Sequence, residues 1–271
     1  MKLTSSQVHT YREQGFVVLR ALFDAEEVES LRASFARDSR APGPHRVRED
    51  GTDELRAVYA SHQRQPEFAS LIRSPRLLGP ARQLVGPEVY MYQFKINSKP
   101  AFSGGGWSWH QDFIAWHAAD NLPEPRLLNV ALFLDDATEH NGPVIFLPGS
   151  HRRGAGGAPP PGEPALSGEH VDPDEISLGR DEMRELVARH GMESAKGPAG
   201  SVVLFHPEIV HGSATNMSPL PRRLLIATYN DVRNQPRPTK RVRPEYLVGR
   251  DTRTLQSTDE SRTIVDGDLI P

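Results

Sequence analysis

The sequence predicts a mainly β protein with flanking α, in which a β-sandwich or barrel core follows a group of helices. Three observations lead there. Up to residue 84 the apolar residues recur mostly at helical spacing. From residue 88 onward the chain shifts to short runs rich in aromatic and β-branched residues, the composition of strands. The length of 271 residues suits one large domain, because sandwiches and barrels of this size often stay undivided.

Each element has its own local cause. Residues 4–14 read as a short helix that Thr4 or Ser5 caps and Gly15 ends in the left-handed conformation. Phe16-Val17-Val18-Leu19 reads as a strand. Asp24 caps a second helix over 25–38, where Val28, Leu31 and Phe35 share one buried face. Residues 40–55 are charged and carry Pro and Gly, which predicts a surface loop. A helix follows over 71–84, interrupted at Pro75. Strands are predicted at 89–97, 127–134, 142–147, 201–205 and 224–230, and a helix at 180–190. Residues 152–175 are rich in Pro and Gly and cannot bury much apolar area, so they are expected to form a mobile lid or insertion. The tail from residue 232 has many Arg and Pro and little periodicity.

Composition narrows the function classes. A net charge of −3 offers no basic field for nucleic acid. The absence of cysteine excludes a disulfide scaffold and Cys-based zinc sites, and it suits a reducing cytosol. No apolar run approaches the ~20 residues of a membrane span. The polar, helix-patterned N-terminus is no signal peptide. The expectation is a soluble, cytoplasmic protein, one domain over 1–271, whose partner is a small molecule rather than nucleic acid or membrane.

Chemistry concentrates in Trp107-Ser108-Trp109-His110-Gln111-Asp112-Phe113. In an extended segment side chains two apart share a face, so His110 and Asp112 present an imidazole nitrogen and a carboxylate oxygen to one point. Two histidines far downstream, His206 and His211, compete as a third ligand. Spacing alone does not separate them; the strand pattern favours His211. Two His and one carboxylate on one face of a metal suit non-haem Fe(II), because the opposite face stays open for a cosubstrate and O2. Ser213 follows His211, and Arg222 stands just before a strand. A guanidinium is a planar two-pronged donor to a carboxylate. Beside such a centre Arg222 suits the far carboxylate of a 2-oxoacid cosubstrate, and Ser213 adds a hydroxyl. Gln93, Lys95 and Asn97 fall on one face of their strand, which means either a solvated face or a polar site lining.

Taken together, these residues resemble the phytanoyl-CoA dioxygenase-like superfamily of Fe(II)/2-oxoglutarate oxygenases. The motifs that carry the resemblance are His110-x-Asp112, His211, Ser213, Arg222, Asn141-Gly142-Pro143 and Pro148-Gly149-Ser150-His151, spread over roughly residues 5–250. The resemblance implies a double-stranded β-helix core, jelly-roll and cupin-like, with N-terminal helices. It implies that His110, Asp112 and His211 bind Fe(II), that Arg222 and Ser213 hold 2-oxoglutarate, and that O2 is consumed. Gln93-Phe94-Lys95-Ile96-Asn97, Trp109-His110-Gln111-Asp112-Phe113, Trp116, Asn129-Val130 and Arg243-Pro244-Glu245-Tyr246 look like bacterial hydroxylases of free amino acids. The leucine type looks nearest, through Ala60-Ser61-His62, Phe205-His206-Pro207-Glu208 and Tyr229-Asn230-Asp231-Val232. Trans-4-proline hydroxylase is a close alternative and ectoine hydroxylase a more distant one. By that likeness Asn97, Trp107 and Asn129 sit near 2-oxoglutarate, and Gln93 and Trp116 near the substrate.

The implied reaction is hydroxylation of an unactivated C–H of a free L-amino acid, leucine or an aliphatic relative first, with release of succinate and CO2. Such a substrate needs a cation, acceptor groups and an apolar slot. Lys95 and His62 are further candidates for the substrate pocket. Charge type nominates Arg243 and Arg126 for the carboxylate, and Asp251 and Glu245 for the ammonium. Other classes fit less well. A halogenase of this family would carry a small residue in place of Asp112. A non-catalytic metal-binding β-barrel would not need Arg222 and Ser213. A zinc hydrolase also uses two His and a carboxylate, but no H-E-x-x-H is present.

Overall fold

Period-two burial divides the strands between two antiparallel sheets, with helices against one outer face. The computed structural model describes residues 1–152, 171, 173–239 and 242–258. The larger sheet runs β1 (Phe16–Leu19), β9 (Val202–Phe205), β6 (Leu127–Phe133), β11 (Arg222–Asp231), β4 (Val89–Lys99), β3 (Leu55–Tyr59) and β2 (Arg46–Arg48). The smaller sheet runs β5 (Trp107–His110), β10 (His211–Ser213), β7 (Ile145–Phe146) and β8 (Glu193–Ser194). Leu128, Val130 and Leu132 of β6 point outward into one core with Phe94, Ile96 and Leu225. Ala131 and Phe133 point inward and pack with Phe146, Phe205 and Ile226 between the sheets. The alternation along a single strand thus feeds two cores.

Helices α1 (Ser5–Gln14), α2 (Ala25–Asp38), α3 (Pro66–Leu71) and α4 (Pro75–Leu84) supply the outer layer. Thr4 and Gln7 form a capping box at α1, and Asp24 and Glu27 form another at α2. Gly15 ends α1 with φ 82°, where a side chain would be strained. Val28, Leu31 and Phe35 of α2 all enter the outer core, as their spacing predicts.

Three expectations need correction. The helix over 71–84 is two helices: Pro75 starts α4 rather than interrupting it, because its missing N–H costs nothing in the first turn, and Ser74 caps it. The loop over 40–55 contains β2, an edge strand that pairs with β3 through Arg46↔Val58 and Val47↔Ala57. An edge strand packs on one side only, so its alternating arginines carry no apolar signal. The strand at 142–147 shortens to Ile145–Phe146. The lid or insertion expected at 152–175 falls mostly on 153–170 and 172, outside the described residues. The helix near 180–190 is α6 (Arg180–His190). Among the described residues no helix is long and apolar enough to cross a membrane.

A register shift against β11 leaves Tyr92 of β4 without a partner: Thr228 pairs with Gln93, and Tyr229 with Met91. This bulge changes the parity of the strand. Val89, Met91, Phe94 and Ile96 all face the helices. Tyr90 and Tyr92 instead pack with Trp116 of α5 (Asp112–Asp120) and with Leu247. Beyond the short reach of β3, the C-terminal segment covers this edge of β4, with Gly249 donating to Tyr92 O at 2.7 Å and Leu255 to Val89 O at 2.9 Å. Arg243 anchors the segment through a two-pronged ion pair to Asp120, with Nε–Oδ1 at 2.8 Å, and Tyr92 donates to the same carboxylate. Both partners are buried. Removing one side of such a pair strands a buried charge. Arg243→Ala should therefore lower unfolding free energy by about 3–5 kcal/mol, read as a reduced urea midpoint.

Candidate metal centre

Each ligand position follows from its strand. His211 pairs directly with His110 across β10 and β5, and their ring centroids lie 4.3 Å apart. Gln111 stays extended (φ −123°, ψ 123°) before α5 begins at Asp112. The side chains of His110 and Asp112 therefore keep the shared face expected of a strand, although Asp112 opens a helix. His110, Asp112 and His211 are buried, and one ligand atom from each lies within 4.8 Å of the others.

Both imidazoles are oriented by backbone. His110 Nδ1 lies 2.6 Å from Ser108 O, and His211 Nδ1 lies 3.0 Å from Ile209 O. A carbonyl only accepts, so those bonds place a proton on Nδ1 and turn Nε2 inward, the nitrogen left for a metal. Each Nε2 then faces one oxygen of Asp112, at 3.7 and 3.8 Å. Burial pushes the His211 pKa down to about 4, keeping the ring neutral. Burial alone would raise the Asp112 carboxyl; Lys95 and the two imidazoles outweigh it and hold the group well below the usual range. Asn129 donates to Asp112 Oδ2 at 2.8 Å and itself accepts from Thr228 Oγ1 at 2.7 Å.

The triad lines a small cavity of about 30 Å³, together with Lys95, Asn97, Ser213 and Arg222. That is room for an ion or a water. Trp107 and Ser213 also line an open cleft of about 810 Å³. Arg56 closes one side of the cleft. Its guanidinium carbon stacks 4.2 Å from the Trp107 ring centroid, and it bonds Glu49 at 2.8 Å and Gly106 O at 3.1 Å.

Two basic groups in this cavity have no carboxylate at ion-pair distance among the described residues. Arg222 is buried and donates to Gly142 O from Nε at 3.1 Å and from Nη2 at 2.6 Å. Burial pushes its pKa down to about 10, so it remains charged at neutral pH. Among the described residues no carboxylate reaches it at ion-pair distance; Asp135 is committed to Arg223. The Lys95 ammonium makes no hydrogen bond or ion pair among the described residues, and stands 6.0 Å from the Trp107 ring centroid. Asn97 Oδ1 is buried without a partner. A donor set of two imidazoles and a carboxylate fits Fe(II). An unpaired buried guanidinium beside an unpaired amide fits a ligand with a carboxylate.

The structure sorts the remaining candidates. His206 lies outside the triad and packs against His151 at 5.0 Å, which removes it as rival to His211. Gln93, Lys95 and Asn97 do share the inner face, and Gln93 and Asn97 are buried, so the solvated reading fails. Gln93 Nε2 is occupied by Leu247 O at 3.0 Å. Asn129, expected at 2-oxoglutarate, has its amide committed to Asp112 and Thr228. Trp116, expected at the substrate, is buried edge-on against Tyr92 at 5.3 Å because its helix turns it into the apolar cluster. His62, another substrate candidate, packs at 5.0 Å on Phe94, whose side chain faces the outer core, away from the cavity. Arg243 belongs to Asp120, as described. Asp251 is exposed and bonds Arg253 at 2.8 Å, while Arg126 is exposed and pairs with Glu124 at 2.8 Å. Glu245 is exposed. Arg223, next to Arg222 on β11, is half-buried on Asp135. Sequence reasoning missed Arg56 and Lys99; the period-two argument that singled out Gln93, Lys95 and Asn97 extends to Lys99 without change.

Comparison with known proteins agrees with this geometry. The family model described as phytanoyl-CoA dioxygenase (PhyH) matches residues 11–224. L-proline trans-4-hydroxylase from Streptomyces griseoviridis is 42% identical over 67% of this chain and 69% of its own length. Ectoine dioxygenase from Bordetella parapertussis is 37% identical over 92% of this chain and 83% of its own. The crystal structure of EctD from S. alaskensis with 2-oxoglutarate and 5-hydroxyectoine superposes with a TM-score of 0.82 at 30% identity, covering 94% of this chain and 87% of that one. The same protein with bound Fe gives a TM-score of 0.81 at 31% identity, with the same coverage.

The bond from Asn129 to Asp112 predicts how the centre responds to change. Asn129→Ala should weaken Fe(II) affinity about 10–100-fold in anaerobic competition with a chromophoric chelator, whereas His206→Ala should leave it unchanged.

Proposed function

The chain belongs to the phytanoyl-CoA dioxygenase family, and on that premise we propose that it hydroxylates a free amino acid whose nitrogen lies in a ring, proline first. It is an Fe(II)- and 2-oxoglutarate-dependent dioxygenase. The two antiparallel sheets are read as the walls of a double-stranded β-helix, the jelly-roll also called cupin-like, and 1–271 as one such domain.

One observation carries the substrate class: the cavity holds two basic groups, Arg222 and Lys95, with no carboxylate at ion-pair distance among the described residues. Both sit on the inner face of the β4–β11 ladder, where Lys95 pairs with Ile226 and Arg222 with Lys99. Four residues of strand separate the two levels, about 13 Å at 3.3 Å per residue. The cosubstrate and an amino acid each bring a carboxylate, and Arg222 and Lys95 offer one cation at each of these two levels. In this reading Arg222 and Ser213 take the far carboxylate of 2-oxoglutarate, and Asn97 and Trp107 flank it. Lys95 takes the carboxylate of the substrate, which enters from the cleft. His110, Asp112 and His211 hold the iron.

Bound iron and 2-oxoglutarate supply the oxidising chemistry that uses O2 and releases succinate and CO2. The protein's share is orientation and exclusion of water. Lys95 fixes one end of the substrate, which sets the C–H nearest the metal. Phe205, Leu224, Ile226 and Val144 make the remaining wall apolar and dry. The carbonyls bonded to Nδ1 of His110 and His211 would keep each Nε2 turned toward a bound metal.

Proline and ectoine are both rings that carry a carboxylate and a cationic nitrogen centre, the chemistry Lys95 and an apolar slot accept. The ectoine reading is second, and the extent of the ectoine dioxygenase match along this chain favours keeping it. Leucine, first by sequence, has no counterpart among these relatives.

The test is succinate formation by anaerobically Fe(II)-loaded protein, exposed to air with 2-oxoglutarate and L-proline, ectoine or L-leucine in turn, with mass spectrometry for one added oxygen. Hydroxyproline formed in step with succinate is expected; no oxidation of either ring would sink the substrate class. Asp112→Ala should abolish both products. Arg222→Ala should raise KM for 2-oxoglutarate and Lys95→Ala that for the amino acid, each by about 10–100-fold, the loss of one charge-assisted bond. If either change moves both constants alike, the assignment of one cation per carboxylate is wrong.

A further inference from the structure

Lys99 ends β4 directly opposite Arg222 of β11, so the two side chains share the inner face. Its side chain is fully buried. Nζ donates to Gly105 O at 2.9 Å and to Ala214 O. Gly142, whose carbonyl accepts from Arg222, lies against the same side chain: a Cβ there would stand 3.0 Å from Lys99 Cδ and 2.5 Å from Ala214 O. Gly142 has φ 71° besides, so the position is closed to larger residues on two grounds. Lys99 thus ties together the segment leading into β5, the segment leaving β10 and the turn that holds Arg222.

Two buried basic residues here face each other with no carboxylate at ion-pair distance from either, among the described residues. A buried unpaired charge is costly, so this arrangement is short of negative charge. Both neutral and protonated amines can donate the two bonds that Nζ makes.

Resting on the cosubstrate reading above, we propose that Lys99 is a positioning residue of the 2-oxoglutarate subsite: it holds Gly105, Gly142 and Ala214 around Arg222, and takes a proton from solvent when the far carboxylate arrives. Its surroundings support this. Burial, then Arg222 and Arg56, push the Lys99 pKa down to about 6, against the opposing pull of Glu49. Those are the charged groups that act on it, from β11, from β3 and from the turn after β2; Gly105, Gly142 and Ala214 bring none. Lys99 is therefore mostly neutral at pH 7 before binding, and a carboxylate beside Arg222 reverses the local sign. Each unit by which binding raises the Lys99 pKa strengthens 2-oxoglutarate about tenfold at pH values below both, and the gain is lost as pH rises through them.

The experiment is isothermal titration of anaerobic, Fe(II)-loaded protein with 2-oxoglutarate in buffers of unlike ionisation enthalpy. Wild type should take up a proton on binding near pH 7, and its affinity should fall as pH rises above about 6. Lys99→Met should lose the uptake and the pH slope and weaken 2-oxoglutarate about tenfold. Titration of wild type with 2-oxopentanoate, which has a methyl in place of the far carboxylate, should show no uptake; this keeps the test alive if the variant does not fold. If 2-oxoglutarate binds without proton uptake, or with the same uptake in Lys99→Met, the role given to Lys99 is wrong while the cosubstrate reading stands. If 2-oxoglutarate does not bind at all, the cosubstrate reading fails and this inference with it.

Discussion

Antiparallel pairing of β4 with β11, from Val89↔Asp231 to Lys99↔Arg222, sets which side chains share the space between the sheets. Because partners directly opposite lie on the same face, one register places Lys95, Asn97 and Lys99 beside Ile226, Leu224 and Arg222. A one-residue slip of either strand would send its three to the helix side. The helix side excludes that slip, since Phe94 and Ile96, or Leu225 and Ala227, would then leave their core. The apolar packing of one face thus fixes the polar content of the other.

Burial then gives these polar groups their properties. Asp112 is ionised in an enclosed place because two imidazoles, Lys95 and the Asn129 amide surround it. Asn129 reaches it from the middle of β6, and Thr228 fixes Asn129 from the adjacent strand. The larger sheet therefore orients a ligand carried by the opposite wall. His110 and His211 need no such side-chain support, because a carbonyl two residues back fixes each ring.

The periphery serves the same end by different means. The bulge at Tyr92 turns Tyr90 and Tyr92 inward, where Trp116 and Leu247 pack on them. The Asp120–Arg243 pair pins the C-terminal segment to the helix that begins at Asp112. Residues that resemble substrate contacts in the sequence, Trp116 and Arg243 among them, are used to position that helix. Arg56, by contrast, sits in a segment that reads as an ordinary charged surface, yet it stacks on Trp107 at the edge of the cleft.

Much of this was legible before any coordinates. The H-x-D pair, His211, Ser213 and Arg222 carry chemistry that few other residues supply, and local rules gave the two capped helices and most strands. Local signals end where contacts cross the chain. His206 and His211 are equivalent by spacing; the strand pattern leans to His211, and its pairing with His110 separates the two. Gln93, Lys95 and Asn97 have the same alternation whether they face water or iron, and the opposite sheet decides. Asn129 and Arg243 each found partners, Asp112 and Asp120, that lie 17 and 123 residues away. The sequence by itself determined the kinds of ligand, the periodicities and the turns, because these depend on residue type and near neighbours. Register, the bulge and the pairing of buried charges belonged to the tertiary structure, because each is set by side chains brought together from distant strands.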